Sequence, residues 1–166
     1  MTTIILGDGG LGRAVADSLR ARRDEVRVLG RPNGGRHPVD RFRDVQLAID
    51  ATRAPAVAAN VAVALRGGCR ALVIATTGWD ADRPRVEHLL REHEAAAVVA
   101  PNFSLGMALF GRLVDAAVDL YGAIPAFDPF IVEWHRRTKP DRPSGTANAL
   151  AHRILERHPA KRRTTG

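Results

Sequence analysis

Short apolar runs alternate along this chain with longer stretches whose apolar positions recur at helical spacing. Thr2-Thr3-Ile4-Ile5-Leu6 is a brief run fit for a buried strand, and Val15, Ala16 and Leu19 behind it trace the inner stripe of a helix near residues 11–23. The pattern then repeats, predicting strands near 25–29, 46–50, 70–75 and 95–100 and helices near 54–66, 82–94 and 103–121. Strands joined by helices in this way form a parallel sheet covered on both faces, so the fold class is α/β, a Rossmann-like sheet. Beyond residue 102 the pattern changes: Pro129-Phe130-Ile131-Val132-Glu133-Trp134 reads as a further strand and 144–158 as the last helix. The expected organisation is therefore a first domain over 1–101 and a partial α+β region over 102–166. The proline- and glycine-bearing segment from Arg31 to Val39 reads as a loop inside the first domain.

Length and composition narrow this picture. A chain of 166 residues with 45% hydrophobic content supports one substantial core, or a core with a small appendage, and leaves no room for two large domains. A formal charge of +7 and a pI near 11.0 would attract polyanions. Aromatic residues are only 5% of the chain, however, and do not alternate with the arginines as stacking platforms require, so no nucleic-acid role is expected. No apolar stretch has membrane length and no export signal is visible, which predicts a cytoplasmic protein with no membrane partner. The single cysteine, Cys69, excludes an internal disulfide and reads as a packing residue. His37, His88, His93, His152 and His158 stand in no metal-ligand spacing, and no metal is expected.

The first candidate chemistry follows the first strand. Gly7-Asp8-Gly9-Gly10-Leu11-Gly12 is a G-x-G-x-x-G turn with a strand before it and a helix after it. A dinucleotide pyrophosphate needs a tight turn, a backbone it can approach closely, and a helix packed near its strand, and glycine permits all three. Gly7, Gly9, Gly10, Leu11 and Gly12 are therefore candidate cofactor contacts, the alternative being an ordinary glycine-rich turn. After the second strand the chain reads Gly30-Arg31-Pro32, with no acid for the ribose hydroxyls of NADH. Arg31, aided by Arg36, would pair with a 2′-phosphate, which favours NADPH and leaves NADH as the alternative; as a solvated loop residue Arg31 would favour neither. Other strand ends carry small or hydroxyl residues where ligands of parallel sheets lie: Thr52 and Arg53, then Ala75, Thr76 and Thr77, then Ala100, Pro101, Asn102 and Phe103. Taken one at a time, each also fits ordinary loop chemistry.

The second concentration of chemistry is Glu133-Trp134-His135-Arg136-Arg137-Thr138-Lys139-Pro140-Asp141-Arg142-Pro143-Ser144-Gly145-Thr146-Ala147. Ser144 reads as an N-cap, and Ala147, Leu150, Ala151, Ile154 and Leu155 continue as a helix. The amides of Gly145 and Thr146 would then face outward at the positive helix end, where a carboxylate can dock. His135 and Lys139 are two protonatable groups of different ordinary basicity, as required when hydride delivery is matched by a proton. The competing reading is an exposed basic loop leading into a surface helix.

This segment resembles the 4-hydroxy-tetrahydrodipicolinate reductase (dihydrodipicolinate reductase) family of lysine biosynthesis, whose signature is close to E-x-H-H-x-x-K-x-D-x-P-S-G-T-A. The match is ungapped, with Arg136 where the family usually has its second histidine. Asp50 to Arg53, Ala75 to Gly78 and Ala100 to Gly106 are similar to the family's D-F-T-R, G-T-T-G and A-x-N-F-S-x-G segments, with Ala51 and Ala75 as departures. The family usually spaces its first glycines one residue wider.

The resemblance implies NAD(P)H-dependent reduction of 4-hydroxy-tetrahydrodipicolinate to tetrahydrodipicolinate, with residues 1–101 as the dinucleotide-binding domain and 102–166 as a partial substrate-binding and catalytic region. It implies His135 and Lys139 as the catalytic proton-transfer pair, and Arg136, Ser144, Gly145 and Thr146 as contacts to a small dicarboxylate. The family pattern continues past the Pro-Ser-Gly-Thr-Ala helix, and this sequence covers its earlier part. Two other readings accompany that shortness: a catalytically silent NADPH-binding module or partner subunit, and a reductase of another small dicarboxylate. A homo-oligomer is expected, because the strand predicted near 129–134 has no covering element after the last helix.

Overall fold

The computed structural model describes residues 1–33, 35–135, 137 and 142–164, which divide into two compact units, Met1–Ala100 and Pro101–Gly166. The first unit holds β1 (Thr2–Leu6), α1 (Gly10–Ala21), β2 (Glu25–Leu29), β3 (Leu47–Asp50), α2 (Val57–Arg66), β4 (Ala71–Ile74), α3 (Arg83–Glu92) and β5 (Ala96–Val99). All five strands are parallel, in the order β2-β1-β3-β4-β5. Periodicity places the elements within a few residues. The largest difference falls at Pro55, where a short 3-10 turn over Ala54–Ala56 precedes α2 and delays its start by three residues from the expected 54.

Successive residues of a strand point to opposite faces, and the core divides accordingly. Ile4 and Leu6 join Ala48, Leu72 and Ile74 in a cluster with Val57, Val61 and Leu65 of α2 and Val86 of α3. Ile5 and Ile49 join the other cluster, closed by Ala16 with Val15 and Leu19 of α1. Ile4 and Ile5 are fully buried, so each covers a different face of the same strand. Cys69 is buried in the first cluster, and burial pushes its thiol pKa up, in keeping with a packing role.

The strand order matters for function. From β1 the chain goes to β2 on one side, then crosses to β3 on the other, so the chain leaves β1 toward α1 on one face of the sheet and leaves β3 toward α2 on the other. In open parallel sheets this switch point is where ligands bind.

The second unit contains α4 (Leu105–Tyr121) and α5 (Gly145–Arg157), packed against each other. Asp115 of α4 takes Arg153 Nη1 at 2.6 Å and Arg157 Nε at 3.4 Å, and Arg157 also reaches Asp119 at 2.9 Å. Gly111 of α4 makes room for the Arg153 guanidinium, which lies 3.1 to 3.5 Å from where a Cβ would stand.

The strand expected over 129–134 does not form. Apolar alternation supports a strand only where a neighbouring strand accepts its hydrogen bonds, and the second unit contains no strand among its described residues. Phe130, Val132 and Trp134 are accordingly exposed, Trp134 at 94%. Among the described residues no helix is long and apolar enough to cross a membrane.

Candidate cofactor and substrate sites

The glycine turn leaves β1 at the switch point. Gly7 has φ +104°, and a Cβ there would run into the Ala51 carbonyl beyond β3. A Cβ on Gly12 would run into the Gly7 carbonyl, so these two glycines allow α1 to approach the strand. Gly9 and Gly10 differ: a Cβ on either would meet nothing within 4 Å. Glycine at these two positions leaves space on the outer side of the turn. Gly9 precedes α1 in an extended conformation with no side-chain cap, so the first helical amides are left for a ligand or solvent. The Gly7 amide donates to the Leu29 carbonyl at 2.8 Å, and Arg13 Nε donates to the Asp8 carbonyl at 2.7 Å, which fixes the turn against the end of β2. An uncapped helix start, an open cradle and the switch point together fit a dinucleotide pyrophosphate. Leu11 and Arg31 are exposed beside it.

The ends of β3 and β4 are bound together by one buried carboxylate. Asp50 Oδ1 accepts from the Thr52 amide at 3.0 Å, the Thr52 hydroxyl at 2.7 Å and the Thr76 hydroxyl at 2.6 Å. Its Oδ2 accepts from Asn60 Nδ2 at 2.8 Å, and the Thr52 amide also donates to the Thr76 hydroxyl at 2.9 Å. The Ala75 amide donates to the Asp50 carbonyl at 2.8 Å. Thr52, Ala75 and Thr76 are thus brought together at this rim, while Arg53 and Thr77 stand exposed beside them. Asp50 and Asn60 were not among the residues expected to build this site. Their signal in the sequence is a polar residue at the end of an apolar strand and another inside an apolar helix. Asp50→Asn should cost about 1–3 kcal/mol in urea unfolding, because an amide turns a donor toward groups that are already donating. A change near zero would show that the network does not hold the rim.

In the second unit, Asn102 Oδ1 accepts from the Ser104 amide at 2.7 Å, and the Ser104 hydroxyl caps α4 through the Met107 amide at 3.4 Å. Pro101 and Phe103 are exposed beside that turn, and Ala100 ends the first unit. At α5 the N-cap forms as read from the sequence: the Ser144 hydroxyl accepts from the Ala147 amide at 3.1 Å. Ser144 is buried, and its own amide donates to Glu133 at 3.0 and 3.3 Å. The helix leaves the amides of Gly145 and Thr146 without intrahelical partners.

Glu133 also meets His135, with Nε2 to Oε2 at 2.9 Å. The bond from Ser144, with smaller contributions from His135, holds the Glu133 carboxyl below its ordinary pKa, so it is an acceptor at neutral pH. Facing this carboxylate, the His135 Nε2 is the donor, which makes Nδ1 the acceptor nitrogen of the neutral ring. Glu133, the first letter of the signature, was not among the expected site residues, yet it links the imidazole to the helix that would hold substrate. Arg136 and Lys139 lie outside the described residues.

A lowered folded-state pKa favours the cap above the ordinary carboxylate range and loses that contribution as pH falls through the folded value. The Ser144 amide should accordingly stay protected from hydrogen exchange at neutral pH and lose protection only in acid below the ordinary range. Loss of protection near neutrality would contradict the pairing. Beside Glu133, a cavity of about 840 Å³ has Arg142, Arg163 and the paired Lys161 and Asp128 on its walls and Ala147, Ala151 and Leu155 on its apolar side. A mixed polar and apolar lining of this kind has room for a small polar ring.

Residues 35–103 match the family model described as dihydrodipicolinate reductase, N-terminus, and residues 106–166 match that described as dihydrodipicolinate reductase, C-terminus. The chain belongs to the dihydrodipicolinate reductase family. Proteins named 4-hydroxy-tetrahydrodipicolinate reductase are similar to it at several levels. That of Methanopyrus kandleri is 43% identical over 115 residues, covering 69% of this chain and 41% of the relative. That of Methanospirillum hungatei is 40% identical over 110 residues, covering 65% and 41%. That of Christiangramia forsetii is 27% identical over 158 residues, covering 95% of this chain and 65% of the relative. The matched part thus spans less than two thirds of these relatives.

Among solved structures, dipicolinate-bound dihydrodipicolinate reductase from Paenisporosarcina sp. TG-14 superposes with a TM-score of 0.70 at 23% identity. The superposition covers 99% of this chain and 69% of that one, and shows a shared fold. The glycine turn and Arg31 precede the stretch matched by the family's N-terminal model, so the case for them rests on the geometry above.

Proposed function

We propose that this chain is an NAD(P)H-dependent oxidoreductase that reduces 4-hydroxy-tetrahydrodipicolinate to tetrahydrodipicolinate in lysine and diaminopimelate biosynthesis. The observation that carries the reading is Glu133, whose carboxylate holds the His135 imidazole at 2.9 Å and the Ser144 amide at 3.0 Å. One anion thereby orients a proton-transfer group and closes the helix end suited to a carboxylate. Residues 1–101 act as the dinucleotide-binding domain and 102–166 as the substrate-binding and catalytic region.

The nicotinamide, when bound, supplies a hydride. The turn through Gly7, Gly9, Gly10, Leu11 and Gly12 receives the pyrophosphate on amides that α1 leaves unpaired. Thr52, Arg53, Ala75, Thr76 and Thr77 line the strand ends, and Ala100, Pro101, Asn102 and Phe103, similar to the family's A-x-N-F-S-x-G segment, contact the cofactor as well. Substrate carboxylates are held by the Gly145 and Thr146 amides and by Arg136, whose permanent charge replaces the family's second histidine. Ser144 keeps those amides in place by capping α5. Lys139 delivers the accompanying proton, and His135, held by Glu133, stabilises or replenishes it.

The protein works in the cytoplasm as a homo-oligomer. Leu105, Leu113 and Leu120 of α4, exposed by 74%, 67% and 70%, support association, because apolar side chains in that number favour burial against a partner. Sedimentation equilibrium giving the mass of a single chain would remove the oligomer from the proposal. The main experiment follows oxidation of the reduced nicotinamide by its absorbance, with freshly generated 4-hydroxy-tetrahydrodipicolinate. Oxidation that depends on the substrate is expected. Cofactor binding without oxidation would overturn the assignment in favour of a silent binding module. Oxidation only with another cyclic dicarboxylate would move it to that substrate.

A further inference from the structure

The sequence places no acid at the end of β2, where a dinucleotide site distinguishes a ribose hydroxyl from a ribose phosphate, but the fold brings one there from elsewhere. Asp8, the second residue of the glycine turn, lies against Gly30. A Cβ built on Gly30 would stand 2.9 Å from Asp8 Oδ2, 3.1 Å from Cγ and 3.4 Å from Oδ1. The turn is held there by the Gly7 amide bonded to Leu29 at 2.8 Å and by Arg13 bonded to the Asp8 carbonyl at 2.7 Å. Among the described residues the carboxylate has no ion pair or hydrogen bond, and Asp8 is exposed on the side where the cradle is open. Gly30 itself carries no side chain to fill the space.

We infer that Asp8 is the residue that sets cofactor preference, accepting hydrogen bonds from the adenosine ribose hydroxyls of NADH and opposing the 2′-phosphate of NADPH. This rests on the dinucleotide reading given above and deepens it. Two features next to each other pull in opposite directions. Arg31 offers a cation to a 2′-phosphate, while Asp8 offers an acceptor to a diol and repels a dianion. A site carrying both accepts either cofactor, and the balance between them depends on the carboxylate. Its charge acts at a place that sequence order alone gives to Gly30.

The test is direct binding of NADH and of NADPH to the full chain, read by nicotinamide fluorescence and by calorimetry, for the wild type, Asp8→Asn and Arg31→Ala. Asp8→Asn keeps size and removes charge, and since the side chain is exposed the fold should be retained, which circular dichroism checks. The ratio of NADH to NADPH dissociation constants should move at least about tenfold toward NADPH in Asp8→Asn. It should move the opposite way in Arg31→Ala. A ratio unchanged within about twofold in Asp8→Asn would overturn the inference while leaving the dinucleotide site standing. Absence of binding by both cofactors in the wild type would overturn the underlying reading together with it.

Discussion

Replacing Lys139 or His135 by alanine is expected to lower kcat by roughly 10²–10⁴-fold, the range associated with loss of a positioned proton-transfer group. Cofactor dissociation constants should stay within about twofold of the wild type, since the turn at Gly7 to Gly12 belongs to the other compact unit. The split is the informative part. Loss of turnover with retained cofactor binding assigns both side chains to chemistry, whereas parallel loss of both would mean a damaged fold and sink the assignment. Glu133→Gln supplies a graded comparison: it keeps an acceptor for the Ser144 amide and removes the charge that fixes which His135 nitrogen carries hydrogen. Rate with Gln at this position should fall less than with His135→Ala, because Glu133 acts through the imidazole it orients.

Gly12→Ala should be strongly damaging to the first unit. A Cβ there collides with the Gly7 carbonyl oxygen and lies 3.0 Å from its carbon, and both atoms are backbone, so no side chain can swing away. Relief requires α1 to lift from β1, which uncovers Ala16 and Ile5, both fully buried. The expected cost is about 3 kcal/mol by chemical unfolding, with loss of measurable cofactor binding because the turn moves with the helix. Gly9→Ala provides the contrast. Nothing lies within 4 Å of its Cβ position, so stability should change by less than about 0.5 kcal/mol while dinucleotide binding weakens. Equal destabilisation by the two substitutions would contradict the division between packing glycines and cradle glycines.

These predictions depend on features of different visibility. The alternation of apolar runs and helical stripes was legible because burial on both faces of a parallel sheet demands it, and all five strands of the first unit form where that pattern places them. Ser144 as a cap was legible for a local reason: its hydroxyl bonds an amide three residues on, within one turn. The run over 129–134 misled because a strand is defined by its partner. Phe130, Val132 and Trp134 have the composition of a strand without a neighbour to complete the ladder.

Features that lie within a turn or a strand length were encoded locally: the five strands and their helices, the glycine turn, the α5 cap, and the signature that resembles the family's. Contacts between segments farther apart came from the folded arrangement instead: Asp50 gathering Thr76 and Asn60, and Asp8 arriving beside Gly30. The physical reason is the strand order. Apolar periodicity encodes which face of each strand is buried but not which strand lies beside it, and here the order β2-β1-β3-β4-β5 brings those carboxylates to their partners.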